Sequence, residues 1–172
     1  MVDLLNNKEI PIYEPGLEEL VNKNHLSGRL KFTSNLTLAI KQSDIIFICV
    51  GTPTYKKKSS ADLSYVFRVA RELSKCINKF KIIVTKSTVP VSTGDKIEKI
   101  ILKKRKKKFF EVISNPEFLR EGEAIRDFRF PDRIVIGSNN NKVTKILESL
   151  YQPIIKKGAK FFSTSRRGAE LI

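Results

Sequence analysis

Apolar residues arrive in two rhythms along this 172-residue chain. In the first they form short unbroken runs rich in Ile, Val and Phe: residues 45–50, 81–85, 109–113 and 133–136. Continuous apolar runs, unlike strict alternation, predict strands covered on both faces. Residues 160–162 and 30–33 supply two shorter candidates. In the second rhythm apolar positions recur every three or four residues, as on one face of a helix. After Asp62, a plausible N-cap, Leu63, Val66, Phe67, Ala70, Leu73 and Ile77 follow this spacing. After Thr93, Ile97, Ile100 and Ile101 do the same, and a further helix is expected over residues 142–150. Glu14, Pro15, Gly16 and Leu17 through Leu20 read as a helix opening with proline in its first turn and acids complementing its dipole. Strands alternating with helices predict an α/β fold around a parallel sheet.

Composition changes this picture little. The length suits one domain able to bury roughly 70% of its unfolded surface. The longest apolar run, residues 45–50, falls far short of the ~20 residues that span a bilayer, so no membrane association is expected. The first residues show no basic segment followed by an apolar stretch, so no signal peptide is read and a cytoplasmic setting is expected. Cys49 and Cys76 lack metal-site spacing and read as small buried hydrophobes; no metal is expected. His25, in a polar stretch, reads as a solvated side chain.

The formal charge is +15, and part of it is one run, Lys103, Lys104, Arg105, Lys106, Lys107 and Lys108. A patch for nucleic acid or anionic membrane has this composition. So does a solvated helix end, where cations complement the dipole. No aromatic residues interleave with the run as stacking platforms, and the solvated end is the preferred reading.

Three loops follow strand C-terminal ends, the edge where open parallel sheets bind ligands. The first holds Gly51, Thr52, Pro53 and Thr54: glycine admits a ligand to the backbone and threonine offers a hydroxyl, although an ordinary turn uses the same residues. The second, Ser87 through Gly94, runs from a strand into a helix. Its amides and hydroxyls suit either an anion at the helix N-terminus or simple capping, and spacing does not separate the two. The third runs from Asn115 to Gly122, with Glu117 and Glu121 between Pro116 and Gly122. Glu117 is expected to point into the cleft, where partial desolvation would suit it to acid-base work. The alternative is a surface carboxylate paired with Arg120.

Six stretches in register resemble the UDP-glucose/GDP-mannose dehydrogenase family: residues 11–20, 50–53, 60–66, 86–91, 115–122 and 131–137. Tyr13 and residues 133–137 look more like the UDP-glucose branch. The resemblance implies oxidation of the sugar C6 alcohol of UDP-glucose to a carboxylate with two NAD+. It implies that Val50, Gly51, Thr52, Pro53, Thr54, Ser87, Thr88 and Val89 line the cofactor and that Glu121 approaches it. Glu117 matches the family's catalytic glutamate, Thr88 would help hold the hydrolytic water, and Glu117, Phe118, Leu119, Arg120 and Glu121 would line the nucleotide-sugar.

No G-x-G-x-x-G motif is present, and neither cysteine matches the family's nucleophilic one. The expected fold is therefore a partial Rossmann-type parallel sheet with flanking helices, lacking the first βαβ unit. Residues 1–43 would be a remnant of the N-terminal region, 44–163 the rest of the NAD-binding domain and 164–172 the start of a linking helix. Five strands between residues 43 and 162 are expected to stand, with residues 45–50 as an exposed edge. The chain alone is expected to be inactive, and the homo-oligomer typical of the family is doubtful for it. The competing expectation is a non-catalytic basic protein that binds nucleotide-sugar or nucleic acid.

Overall fold

The computed structural model describes residues 2–7, 9–54 and 61–172; Ser60, the first residue of one matching stretch, lies outside them. Five strands form one sheet: β1 (Ile45–Ile48), β2 (Lys81–Thr85), β3 (Phe110–Ser114), β4 (Arg133–Gly137) and β5 (Lys160–Thr164), side by side in that order. The helices are α1 (Val2–Asn6), α2 (Leu17–Leu26), α3 (Leu36–Gln42), α4 (Ser64–Cys76), α5 (Thr93–Leu102), α6 (Ala124–Arg129), α7 (Asn141–Ile155) and α8 (Arg166–Leu171).

The unbroken apolar runs are explained by two core layers. Every residue of β2 is buried. Ile83 joins Val66, Ala70, Leu73, Ile97 and Ile101 of α4 and α5 on one face. Ile82 and Val84 join Val143, Leu147 and Tyr151 of α7 on the other. The residues spaced after Asp62 fall on the buried face of α4 as expected, and Asp62 Oδ1 accepts the Ser64 N–H at 2.8 Å. The charged member of β2, Lys81, is buried as well; its ammonium donates to the carbonyls of Lys41 and Ser43 at the end of α3, where the helix dipole is negative.

Several expectations are corrected. The sheet is parallel from β1 to β3 and from β4 to β5, but β3 and β4 run antiparallel and meet only at Ser114 and Gly137. The segment between Ser114 and Arg133 carries only the six-residue α6 and does not cross back over the sheet to its other end, as a parallel neighbour would require. Residues 30–33 form no strand; no partner strand flanks them among the described residues. Pro15 stays outside α2, which begins at Leu17 after Gly16 with φ of 80°, a left-handed conformation natural to glycine. α7 extends past residue 150 through Pro153 to Ile155.

β1 lies at the sheet edge, as expected, but ends at Ile48. Strand alternation then turns Phe47 and Cys49 to the face that α7 covers only in part, and Cys49 is exposed rather than buried. Cys76 is half-buried at the end of α4. His25 is half-buried too, its ring edge-on to Phe32 with centroids 5.8 Å apart.

Amide hydrogen exchange should separate these regions. Ile82, Ile83 and Val84 are expected to exchange on the order of a thousandfold more slowly than residues 31–33. Comparable protection in both would contradict a buried β2 beside an unpaired segment at residues 31–33.

Candidate functional site

Hydrogen bonds carry the sheet register past the strand ends and bring the three loops to one edge. The amides of Lys86 and Ser87 donate to Ile48 O at 3.0 and 3.3 Å, and Asn115 N donates to Thr85 O at 2.9 Å. Across the first two loops Thr52 Oγ1 donates to Thr88 O (3.1 Å) and Ser87 Oγ to Val50 O (2.6 Å). Gly51 has open space around its Cα, and the ends of its loop meet where Asp62 N donates to Pro53 O at 2.7 Å and Thr54 bridges Ala61. Of the second loop, Ser87 is buried and Val89 packs in the core, while Thr88 alone of the three is exposed.

The two readings of the second loop are separated by α8. Glu170 accepts the Ser92 and Gly94 amides at 2.7 Å each, and Ser114 Oγ donates to it at 3.3 Å. The first turn of α5 is thus capped by a carboxylate of the chain itself rather than left open to a phosphate. Arg166 reinforces the docking: its guanidinium pairs with Asp95, with Glu98 at 2.6 Å, and with Val112 O at 3.0 Å. The Arg166 and Arg167 guanidiniums hold the Asp95 carboxyl below the usual range. Gly137 permits this packing, because a Cβ there would meet the Ala169 methyl at 2.4 Å.

In the third loop Asn115 is buried, whereas Glu117, Phe118, Leu119, Arg120 and Glu121 are exposed. Arg120 does not pair with Glu117. It forks onto Asp127, Nε to Oδ2 at 3.0 Å and Nη2 to Oδ1 at 2.7 Å, and its own amide adds a third bond to Oδ2 at 3.0 Å. These bonds from Arg120 pull the Asp127 carboxyl down to about 2. Arg133 stacks over the Phe118 ring at 4.6 Å. Behind the loop, Asn115 Nδ2 donates to Val135 O (3.0 Å) and Asn115 Oδ1 accepts the Tyr151 hydroxyl (2.6 Å). Burial and the neighbouring Cys49 raise the Tyr151 hydroxyl to about 12.

Sequence reasoning gave Tyr151, Lys86 and Glu170 no place in the site and read Glu14 only as part of a helix opening. Glu14 reaches across the fold to accept the Gly122 amide at 3.0 Å and the Ala124 amide at 2.7 Å, tethering the third loop. Its only local signal is a carboxylate before Pro15 and Gly16, and its partners lie more than a hundred positions away. Lys86 lines a cavity of about 40 Å³ with Asn115, Glu117, Phe118, Arg133 and Tyr151. It also lines a second, apolar cavity of about 400 Å³ with Phe47, Cys49, Phe128, Leu150 and Tyr151.

The basic run lies elsewhere. It connects the end of α5 to the start of β3, at the sheet edge opposite the three loops. Lys107 pairs with Glu98 (2.9 Å) and Glu111 (3.0 Å), and Lys108 lies over Phe109 at 5.3 Å. Among the described residues, no group of three or more His, Cys, Asp or Glu is placed to hold a metal, and no helix is long and apolar enough to cross a membrane.

A mostly parallel sheet with loops gathered at the strand ends is the Rossmann-like, nucleotide-binding class of α/β protein. The family model for the NAD-binding domain of the UDP-glucose/GDP-mannose dehydrogenase family matches residues 1–155, and the chain belongs to that family. A UDP-glucose 6-dehydrogenase of Rhizobium meliloti is 46% identical over 173 residues, which cover 99% of this chain and 40% of that protein. One from Bacillus subtilis is 48% identical over 169 residues, covering 98% and 36%. Among solved structures, a UDP-glucose dehydrogenase from Pyrobaculum islandicum superposes with a TM-score of 0.91 at 38% identity, over 99% of this chain and 39% of that one. A GDP-mannose dehydrogenase from Pseudomonas aeruginosa gives 0.92 at 36%, over 99% and 40%. The chain thus spans about 40% of the length of the relatives it matches.

Two outcomes follow from the third loop. Glu14→Ala should cost about 1 kcal/mol, the scale of a lost cap, and raise the mobility of residues 121–124. Urea unfolding and 15N relaxation measure both, and unchanged relaxation there would remove Glu14 as a tether. Because the Asp127 carboxyl is lowered, the Arg120 fork is intact above the ordinary carboxylate range and lost as pH falls through about 2. Carbon-detected NMR should place the Asp127 midpoint at about 2, and Arg120→Ala should return it to about 4. A wild-type midpoint matching that of the variant would mean that the fork does not form.

Proposed function

We propose that this chain is the cofactor-facing and acid-base portion of an NAD-dependent UDP-glucose 6-dehydrogenase, which oxidises UDP-glucose to UDP-glucuronate. The observation that supports it most is the meeting of three loops on one sheet edge. Thr52 and Thr88 are joined by a hydrogen bond, and the strand register continues from Thr85 to Asn115, two residues before Glu117. Identities of 46% and 48% to proteins named UDP-glucose 6-dehydrogenase favour that sugar over GDP-mannose.

NAD+, when bound, supplies the hydride acceptor. The residues present fit its flank: Gly51 is open on the outer side of its loop, and Thr88 is exposed beside Thr52. Val50, Gly51, Thr52, Pro53 and Thr54, with Ser87, Thr88 and Val89, form this wall, and Glu121 approaches it from the third loop. The carboxylate of Glu170 already caps α5, so the dinucleotide meets loop backbone here rather than that helix end.

Glu117 accepts the proton released from the sugar C6 hydroxyl and later takes part in handling the hydrolytic water, which the Thr88 hydroxyl holds. Phe118, Leu119, Arg120 and Glu121 continue the sugar-nucleotide wall. Arg120 is fixed there by Asp127, so its position is set before substrate arrives.

A chimera tests the reading. This chain would replace the aligned 169 residues of the Bacillus subtilis relative. The chimera is expected to reduce two NAD+ per UDP-glucose, and Glu117→Gln within it should lower kcat by a factor on the order of 10²–10⁴. A chimera with native circular dichroism that binds NAD+ but never oxidises UDP-glucose would overturn the assignment.

A further inference from the structure

Lys86 directly follows β2, and the extended register places it between two neighbouring strand ends. Its amide bond to Ile48 O sets it alongside Cys49 on one side. On the other, the bond from Asn115 N to Thr85 O sets it alongside Asn115, two residues before Glu117. Its side chain, with those of Tyr151, Phe128 and Ile154, lines both the cavity of about 40 Å³ that holds Glu117 and the apolar cavity of about 400 Å³ that holds Cys49.

Half-buried in this wall, the Lys86 ammonium has no hydrogen bond or ion pair among the described residues. Glu117 has none there either. Burial pushes the ammonium down from its ordinary value, while Glu117 and Cys49 act the other way. Burial and Glu117 push the Cys49 thiol up, which leaves it the neutral neighbour of the two.

The other charged or titratable groups facing this region are committed elsewhere. Asp127 is forked by Arg120, Arg133 lies over the Phe118 ring, and the Tyr151 hydroxyl donates to Asn115. The uncommitted lining groups of opposite charge are therefore Lys86 and Glu117.

We propose that Lys86 is a positioning residue for Glu117, the counter-charge that holds the Glu117 carboxylate over the cleft from the end of the adjacent strand. The inference rests on the assignment of Glu117 as the proton acceptor, but its test does not require turnover. Removing the lysine would leave the carboxylate free to swing to solvent, and methionine, of similar length, would fill the wall without the charge.

The test uses the 172-residue chain and follows the Lys86 side-chain 13Cε and 15Nζ signals through a pH titration. Glu117→Gln is expected to lower the Lys86 midpoint by about 0.5 pH units or more, since an opposite charge favours the charged form. Glu117→Asp, which keeps the charge but shortens its reach, should lower it less. Lys86→Met should shift the amide resonances of Glu117, Phe118 and Leu119, and Lys86→Arg should restore them. Glu117 is exposed, so its variants are expected to fold, and a conserved amide spectrum outside the loop verifies this. A Lys86 midpoint unchanged in Glu117→Gln, or the same loop shifts in the Met and Arg variants, would overturn the proposal. Failure of the chimera to oxidise UDP-glucose would leave these titrations untouched, so the two readings fail separately.

Discussion

The buried side chain of Asn115 holds the two parts of this sheet together. β3 and β4 share a single antiparallel contact, Ser114 to Gly137, so backbone pairing alone gives little to join the three-strand and two-strand segments. Asn115 supplies the rest: its amide nitrogen binds Val135 O in β4, and its oxygen takes the Tyr151 hydroxyl from α7. A buried amide left with one of these bonds unmade costs about 1–3 kcal/mol, so the arrangement is tightly specified. Glu117 stands two residues further on. The same side chain that closes the sheet therefore fixes where the third loop begins.

A second constraint acts from the opposite end of the sequence. Ser92 sits at φ of 71°, an unusual conformation for a residue with a side chain, and its amide is held by Glu170. Arg166 completes the clamp between Asp95 and Glu98. Burial alone would raise the Glu98 carboxyl, yet hydrogen bonds from Lys107 and Arg166 outweigh it and keep Glu98 low. One consequence runs back toward the site: α8 packs against β3 and β4 and grips the turn that follows Thr88. A segment at the end of the chain thereby sets the conformation of a loop in the middle.

The fold was legible where side-chain pattern and burial agree. The continuous runs of β2 and β3 require cover on both faces, and two apolar clusters provide it. The spacing from Leu63 to Ile77 carries a helix for the same reason. The reversed direction of β4 was not legible, because an apolar run reads alike in either direction and only the brevity of α6 hints at the turn. The exposure of Cys49 was hidden similarly. Nothing in residues 45–50 says that the strand stops at Ile48 or that its outer side lacks a neighbour.

The site divides along the same line. Its three loops could be found because each follows an apolar run and carries turn residues, and their gathering on one edge follows from parallel register. What could not be found were partners distant in sequence. Glu14 reaches Gly122, Glu170 reaches Ser92, and Arg120 chooses Asp127 over the nearer Glu117. The last of these is the instructive one. Asp127 lies on α6, where it can accept both the guanidinium fork and the Arg120 amide, three bonds in one geometry. Glu117 offers no comparable fit from the extended start of the loop. Arg120 is thus drawn away from Glu117, and the carboxylate at the strand end is left without a cation from its own loop. Any counter-charge for it has to come from a neighbouring strand, and the end of β2 is where the fold supplies one.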